Sequence, residues 1–166
     1  RLVLDELLRM RGRSHPIPFQ KLNFSTPGVE NVEKSFFRYA CFSDIHQVPE
    51  EAKSCGMIFL PLSTSVEELS ALSARGFSLG IELPRVFFGR EEAVRTKLKQ
   101  LWDMDIRHAR VGNWGALALA QELGFFCHGA FGLNLFNTSS LEFCREHGLI
   151  DAEISFELSL AQARAL

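Results

Sequence analysis

The sequence lacks the features that identify several large classes of protein directly. No two of its cysteines have the CxxC spacing of a zinc ribbon or a dithiol redox motif. No run reaches the ~18 apolar residues that a membrane-spanning helix needs. The net charge of −2 over 166 residues does not support a strongly cationic nucleic-acid binder. These absences predict a cytoplasmic protein with no membrane partner.

Common catalytic signatures are absent as well. The chain contains no GxSxG nucleophile elbow, no HExxH zinc motif, no GxxxxGK[ST] phosphate loop and no GxGxxG dinucleotide loop. Its composition is 46% apolar and 23% charged, which is ordinary for one globular domain and excludes disordered and collagen-like chains. The four cysteines are Cys41, Cys55, Cys127 and Cys144. Their apolar neighbours predict small buried thiols in a reducing compartment.

The chain divides near residue 35 into a lead-in and a rhythmic domain. Within residues 1–35, the spacing of leucines predicts a short amphipathic helix over 2–10. Three prolines predict loop or edge strand over 14–35. Residues 36–166 form the second part, and its helical pattern is still running at Leu166. We therefore expect a piece of a longer protein, with the second domain truncated at its C-terminus.

Short apolar runs alternate with helix-period segments through the second domain. Strands are predicted at 39–43, 57–62, 77–83, 107–111, 125–128 and 152–156. Helices are predicted at 49–55, 66–75, 91–103, 114–123 and 139–147. Gly56, Gly76, Gly124 and Gly148 each follow a predicted helix, where a left-handed residue ends the helix most easily.

Repeated strand–helix–strand units predict an α/β fold with a parallel sheet covered by helices. Six strands in about 120 residues approach the unit length of an eight-stranded TIM barrel, which usually needs ~250 residues. The prediction is a partial TIM-barrel-like domain of parallel (β/α) repeats. A small open doubly wound sheet is the alternative.

Polar residues at the carboxyl ends of the predicted strands are the candidate site residues, because both folds place their sites at that edge. Glu82 and Glu157 lie in apolar strands, where a carboxylate needs a partner or a wet cavity. They could act as acid and base, or as ligands of a hard metal ion. His128 is a third catalytic candidate, with a core histidine bonded to a backbone carbonyl as the alternative.

Amides and one arginine complete the candidate set, as substrate-binding groups. They are Arg85, Asn113, Asn134 and Asn137. The alternative for each is a structural role, and Asn137, followed by Thr138, Ser139 and Ser140, could simply cap the next helix.

The C-terminal half carries an ordered set of short motifs. They are Val111-Gly-Asn-Trp-Gly-Ala-Leu-Ala-Leu-Ala-Gln-Glu-Leu-Gly124, His128-Gly129, Leu133-Asn134, Asn137, Gly148 and Ser155-Phe-Glu-Leu158, with Leu83-Pro84-Arg85 before them. In order and spacing this set resembles the collagenase-like peptidase family of unassigned catalytic type (peptidase U, number thirty-two). The resemblance covers roughly residues 80–166 and extends less securely over 36–79.

The resemblance implies a barrel-like (β/α) domain in bacterial cytoplasmic proteins. Our first hypothesis is a segment of a collagenase-like peptidase that hydrolyses peptide bonds, with a protein or peptide as substrate. The resemblance marks Asn113, His128, Asn134, Asn137 and Glu157 as binding or positioning groups, and it assigns no nucleophile.

Two further hypotheses remain open. Better-understood relatives in that family look like iron–sulfur proteins that take part in hydroxylating RNA bases or a quinone precursor. The second hypothesis is therefore an iron–sulfur-dependent factor, whose cluster and RNA partner would belong to the full-length protein. The segment itself would then hold no cofactor. The third hypothesis is a non-catalytic scaffold, inactive alone, whose open sheet edge invites self-association.

Overall fold

The structure is a computed structural model that describes residues 2–11 and 37–166. Helix α1 spans Leu2–Arg11, which confirms the predicted N-terminal helix. The segment predicted as loop or edge strand, 14–35, and the predicted domain boundary lie outside the described residues.

Residues 37–166 form one sheet and the helices between its strands. The strands are β1 (Tyr39–Cys41), β2 (Met57–Pro61), β3 (Leu79–Glu82), β4 (His108–Val111), β5 (Phe126–Gly129) and β6 (Leu149–Ala152). The α-helices are α2 (Val66–Ala74), α3 (Glu91–Asp103), α4 (Trp114–Glu122), α5 (Thr138–Glu146) and α6 (Leu160–Ala165). Short 3₁₀ helices span Ile45–Gln47, Glu50–Ser54 and Phe131–Leu133.

The sheet is all-parallel, has the order β1-β2-β3-β4-β5-β6, and curls into half of a barrel. The curl brings side chains of distant strands together, since the Tyr39 ring on β1 lies 5.4 Å from the His128 ring on β5. The predicted partial TIM-barrel-like α/β domain is confirmed. The alternative, a small open doubly wound sheet, is not the one adopted.

The two faces of the sheet have different chemistry because side chains alternate along each strand. Ile58, Leu60, Ile81, Ala109 and Cys127 point to the convex side and belong to a continuous buried core. The helix residues in that core are Leu69, Leu72, Leu98, Leu101, Leu117 and Ala120. The intervening strand residues face the concave side, where most of the polar side chains of the strands lie.

Helix ends follow the sequence prediction with one exception. Gly76, Gly124 and Gly148 have φ values of 87°, 83° and 80°, as expected for left-handed C-terminal positions. The prediction for Gly56 is wrong, because the preceding segment is a 3₁₀ helix that ends at Cys55 in an extended conformation. After α3 the left-handed position is taken by Asp105, at φ 64°.

The last predicted strand was misplaced by three residues. It was expected at 152–156, whereas β6 spans Leu149–Ala152. The error arises because residues 152–156 alternate apolar and polar side chains, which is the pattern of a half-buried strand, whereas β6 does not. Of the helices within residues 2–11 and 37–166, none is long and apolar enough to cross a membrane.

Candidate functional site

Four polar residues form one row across the concave face of the half-barrel. Glu82 on β3 is the register partner of Arg110 on β4, and Arg110 is the partner of His128 on β5. His128 in turn is the partner of Asp151 on β6. Register partners in a parallel sheet share a face, so the four side chains lie next to one another near the carboxyl edge of the sheet.

A β-bulge completes the row. Cys127 pairs with Leu149 but His128 pairs with Asp151, so Ile150 is an extra residue in β6. Without this bulge, Ile150 would stand beside His128, and Asp151 would point to the other face. The bulge therefore turns Asp151 toward the concave side.

His128 is the centre of a chain of three hydrogen-bonded side chains. It is 3% exposed. Its Nδ1 lies 2.9 Å and 3.0 Å from the two carboxylate oxygens of Asp151, and its Nε2 lies 2.9 Å from Nδ1 of His108. A carboxylate only accepts hydrogen bonds, so Nδ1 of neutral His128 carries the proton and Nε2 accepts. His108 then donates from Nδ1 and keeps a free lone pair on Nε2.

The second half of the row is an ion-pair network around Arg110. One guanidinium nitrogen lies 2.9 Å from Glu82, and another contacts Glu153, the residue that follows β6. Glu153 also accepts a hydrogen bond from the backbone N–H of Phe131, at 3.2 Å. The Arg110 side chain is 14% exposed. Two contacts use two of its five N–H donors, so the fixed guanidinium can still bind a ligand oxygen.

Arg110, His128 and Asp151 of this row line a cavity of about 500 Å³ on the concave side of the half-barrel. Its wall contains residues of β1 and β6, the two edge strands, together with Phe59 of β2 and Arg110 of β4. The lining residues are Phe37, Tyr39, Cys41, Phe59, Arg110, His128, Gly129, Asp151, Ala152 and Glu153. A volume of this size matches a ligand of a few residues or a small molecule.

The apolar part of the cavity depends on a close backbone approach at Gly80. A Cβ atom there would lie 2.4 Å from the Phe59 ring, so only glycine lets this ring rest against β3. Phe59 makes edge contacts with Tyr39 and with His128, at centroid distances of 5.8 and 5.2 Å. The rings of Tyr39, Phe59 and His128 form an aromatic floor, and His128 belongs both to this floor and to the polar row.

Three groups in and next to the row have shifted pKa values. Burial lowers the pKa of His108, and the nearby His128 lowers it further, while Asp151 opposes the change. Partial burial raises the pKa of the Tyr39 phenol, and the Asp151 carboxylate adds to the rise by its charge and a hydrogen bond. Partial desolvation also raises the pKa of the Cys41 thiol; Arg110 opposes this, whereas Glu82 and Glu153 reinforce it.

Cysteine placement corrects one expectation from the sequence. Cys127 and Cys144 are buried as predicted, and burial raises the pKa of Cys127 to about 11. Cys55 is half-buried, and Cys41 is exposed on the concave face, so the prediction of four buried thiols is wrong for these two. Cys41 lies on β1, an edge strand of the described sheet, and lines the concave cavity.

Two of the predicted catalytic residues lie in the row. Glu82 and His128 flank Arg110, and Arg110 is the partner that the Glu82 carboxylate needs. Glu157 lies apart from them. It is exposed in a turn after β6, its backbone N–H lies 3.4 Å from Ser155 Oγ, and it does not line the cavity.

The predicted binding residues have structural partners. Asn113 caps α4 by accepting from the N–H of Ala116 at 2.8 Å, and its amide donates to the carbonyl of Arg85 at 3.0 Å. The Arg85 guanidinium stacks 4.3 Å from the Phe131 ring centroid. Arg85 also lines a neighbouring cavity of about 480 Å³ together with Glu82.

Asn134 and Asn137 occupy special backbone positions in the loop after β5. Asn134 is left-handed, with φ 54°, where it ends the 3₁₀ helix Phe131–Leu133. Asn137 forms a capping box with Ser140 at the start of α5. Both are exposed and neither lines the concave cavity.

Sequence reasoning missed four residues of the site: His108, Arg110, Asp151 and Glu153. A signal for two of them was present, because His108 and Arg110 alternate with the buried Ala109 and Val111. Polar residues at every second position of a strand point to one face, and here that face is concave. Asp151 gave no such signal, because its orientation depends on the bulge at Ile150.

Among the described residues, no group of three His, Cys, Asp or Glu side chains is placed to hold a metal ion. The chain was also compared with protein-family models, with curated proteins and with solved structures, and none of these comparisons found a match.

Proposed function

We propose that this chain hydrolyses peptide bonds in the concave cavity, as part of a collagenase-like peptidase. The observation that carries the proposal is the placement of the Asp151–His128 pair and Arg110 side by side on one cavity wall. The ordered motifs that resemble the peptidase family support the choice of a peptide as substrate. A proton acceptor next to a fixed cation is what hydrolysis of an amide requires.

Asp151 is the general base in this scheme. Its side chain is 40% exposed, so its carboxylate can reach a water molecule in the cavity. The carboxylate takes a proton from this water as the oxygen attacks the peptide carbonyl. The C–N bond then breaks, and the same proton passes to the departing amine. His128 acts as a positioning residue, because its Nδ1–H fixes the direction of the Asp151 carboxylate.

Arg110 holds the carbonyl oxygen as negative charge develops on it. Glu82 and Glu153 keep the guanidinium in place from two sides, so it need not reorganise during the reaction. The aromatic floor binds an apolar side chain of the peptide next to the scissile bond. Glu157 and the three candidate asparagines have no part in this chemistry.

Cleavage of gelatin and of a peptide panel tests the proposal, with Asp151→Asn as the variant. The amide oxygen of asparagine still accepts from His128 Nδ1, so the fold is retained while the base is lost. General-base catalysis contributes on the order of 100-fold or more, and we expect at least that loss of rate. Asp103→Asn, at the exposed end of α3, is the matched control and should cleave like the unmodified chain.

Equal cleavage by the chain and its Asp151→Asn variant would contradict the proposal, and so would no cleavage of any peptide. The latter result would favour the non-catalytic scaffold. The iron–sulfur interpretation stays a prediction for the full-length protein, with its cluster and its RNA partner. A brown protein purified without oxygen would support it.

A further inference from the structure

The three-residue chain through His128 joins two different cavities. Asp151 and His128 line the concave cavity described above. His108 lines another cavity, of about 350 Å³, near the amino ends of the strands. Each link between these residues is a hydrogen bond of 2.9–3.0 Å.

We propose that His108 is the outer end of a proton path, which connects this second cavity through His128 to Asp151. This inference rests on the proposed function, because it assigns Asp151 as the group that the path serves. His108 is then a positioning and relay residue that touches no substrate.

The protons balance along the path. A proton from solvent binds to Nε2 of His108, and Nδ1 of the same ring releases its proton to Nε2 of His128. His128 then releases the proton on Nδ1 to the Asp151 carboxylate. Three N–H or O–H bonds form and three break, so the net result is one proton moved from the second cavity to Asp151. In the proposed reaction, Asp151 passes this second proton to the released amine, which leaves as ammonium. The reverse sequence then carries away the proton that the new carboxylic acid gives to Asp151, and it restores the tautomers.

The surroundings of His108 keep its Nε2, the nitrogen that does not contact His128, free to accept a proton. Burial and the neighbouring His128 lower its pKa, so the ring is neutral at pH 7 and Nε2 holds a lone pair. Phe126 covers one side of the ring, with centroids 5.3 Å apart. The charged groups that line the same cavity are Asp105 and Arg107, and they pair with each other at 2.9 Å.

The charged and titratable groups at the other end of the path are Tyr39, Cys41, Arg110, Asp151 and Glu153. A peptide in the concave cavity displaces bulk water and leaves only the attacking water beside Asp151. Asp151 then cannot exchange protons with bulk solvent through the concave cavity. His108 opens to a separate cavity, so the path through the two rings stays available while the substrate is bound.

Two variants separate a proton path from a structural contact. His108→Asn retains an N–H donor for His128 Nε2 but has no second nitrogen to take up a proton. His108→Phe keeps a ring and removes the donor. A path predicts that both variants lose cleavage rate by a similar factor, on the order of tenfold. A structural contact predicts that His108→Asn cleaves like the unmodified chain, which would overturn the proposal.

Nitrogen-15 NMR of the imidazole rings tests the path without any substrate. In the unmodified chain we expect both His108 and His128 as the Nδ1–H tautomer, with His108 Nδ1–H hydrogen-bonded to His128 Nε2. In His108→Asn, His128 should keep its tautomer. An Nε2–H tautomer of either ring would overturn the path even if peptides are cleaved. The Nδ1–H tautomer on both rings in a chain that cleaves nothing would overturn the proposed function alone.

Discussion

His128 is a buried imidazole with a partner on each ring nitrogen. A buried polar group costs free energy unless its hydrogen bonds are satisfied, and here His108 and Asp151 satisfy both. The ring is therefore fixed in orientation and in tautomer. Side chains held on both sides in this way are suited to positioning a reactive neighbour, which is the role assigned to His128 beside Asp151.

Cys41 offers a chemical probe of the same cavity. It is exposed, whereas Cys127 and Cys144 are buried, so iodoacetamide should alkylate Cys41 before either of them. Its raised pKa means that the rate at pH 8 lies below that of an ordinary thiol and rises with pH, since only the thiolate reacts. Mass spectrometry of digests taken over time measures the rate at each cysteine.

The charge of Glu82 raises the pKa of Cys41, so its removal should speed the alkylation. We expect Glu82→Gln to increase the alkylation rate at pH 8, because a lower pKa of Cys41 gives a larger fraction of thiolate. Glu91→Gln, an exposed carboxylate on α3, is the matched control and should leave the rate unchanged. A slower reaction in Glu82→Gln would contradict the placement of Cys41 beside this carboxylate.

At the scale of elements, Asn113 shows how a candidate binding residue stabilises the fold. It caps α4 and joins the loop after β3 through the carbonyl of Arg85. We expect Asn113→Ala to lower the free energy of unfolding by about 1 kcal/mol, because the cap is lost. Asn113→Asp keeps the acceptor for the Ala116 N–H, so it should lower the free energy of unfolding by only a few tenths of the loss in Asn113→Ala. Urea unfolding followed by circular dichroism measures both, and equal losses would contradict capping as the main contribution.

The elements themselves were largely predictable from local pattern. Apolar or alternating short segments marked β1 to β5, and α3 has the predicted bounds, Glu91–Asp103. These features depend on residues close together in the sequence. The strand β6 was misplaced because residues 152–156 alternate apolar and polar side chains more regularly than β6 itself.

The site was less predictable, because it depends on contacts between strands. Glu82 and His128 were identified at strand ends, but their connection through Arg110 follows from the register of three strands. A one-residue bulge at Ile150 decides which face Asp151 occupies. No local pattern encodes that shift, since both registers are compatible with the same short segment.

At the scale of the whole molecule, β1 and β6 are each paired on one side only among the residues that the structure describes. Unpaired strand edges bind other strands, so we predict that the chain self-associates at high concentration. Ile150 is 54% exposed on β6, and a lysine there should oppose pairing along this edge. Sedimentation velocity should show less association for Ile150→Lys than for the unmodified chain.

Val86→Lys provides the matched control for the edge variant. Val86 is 69% exposed and lies in the loop between β3 and α3, away from both edges. The same gain of charge there should leave association unchanged. A similar decrease in both variants would indicate a general effect of charge, and an unmodified chain that is monomeric at all concentrations would contradict the prediction.

The curled sheet also places the functional cavity where β1 and β6 approach each other across the concave side. The most direct test is NMR mapping of a collagen-like peptide, Gly-Pro-Ala-Gly-Pro-Ala, added to ¹⁵N-labelled Asp151→Asn protein, which should bind the peptide without cleaving it. The account predicts that the largest amide shifts occur at the cavity wall, at Gly129, Ala152 and Glu153. Shifts confined to the groove beside Phe88 and Arg95, or no shifts at all, would contradict it.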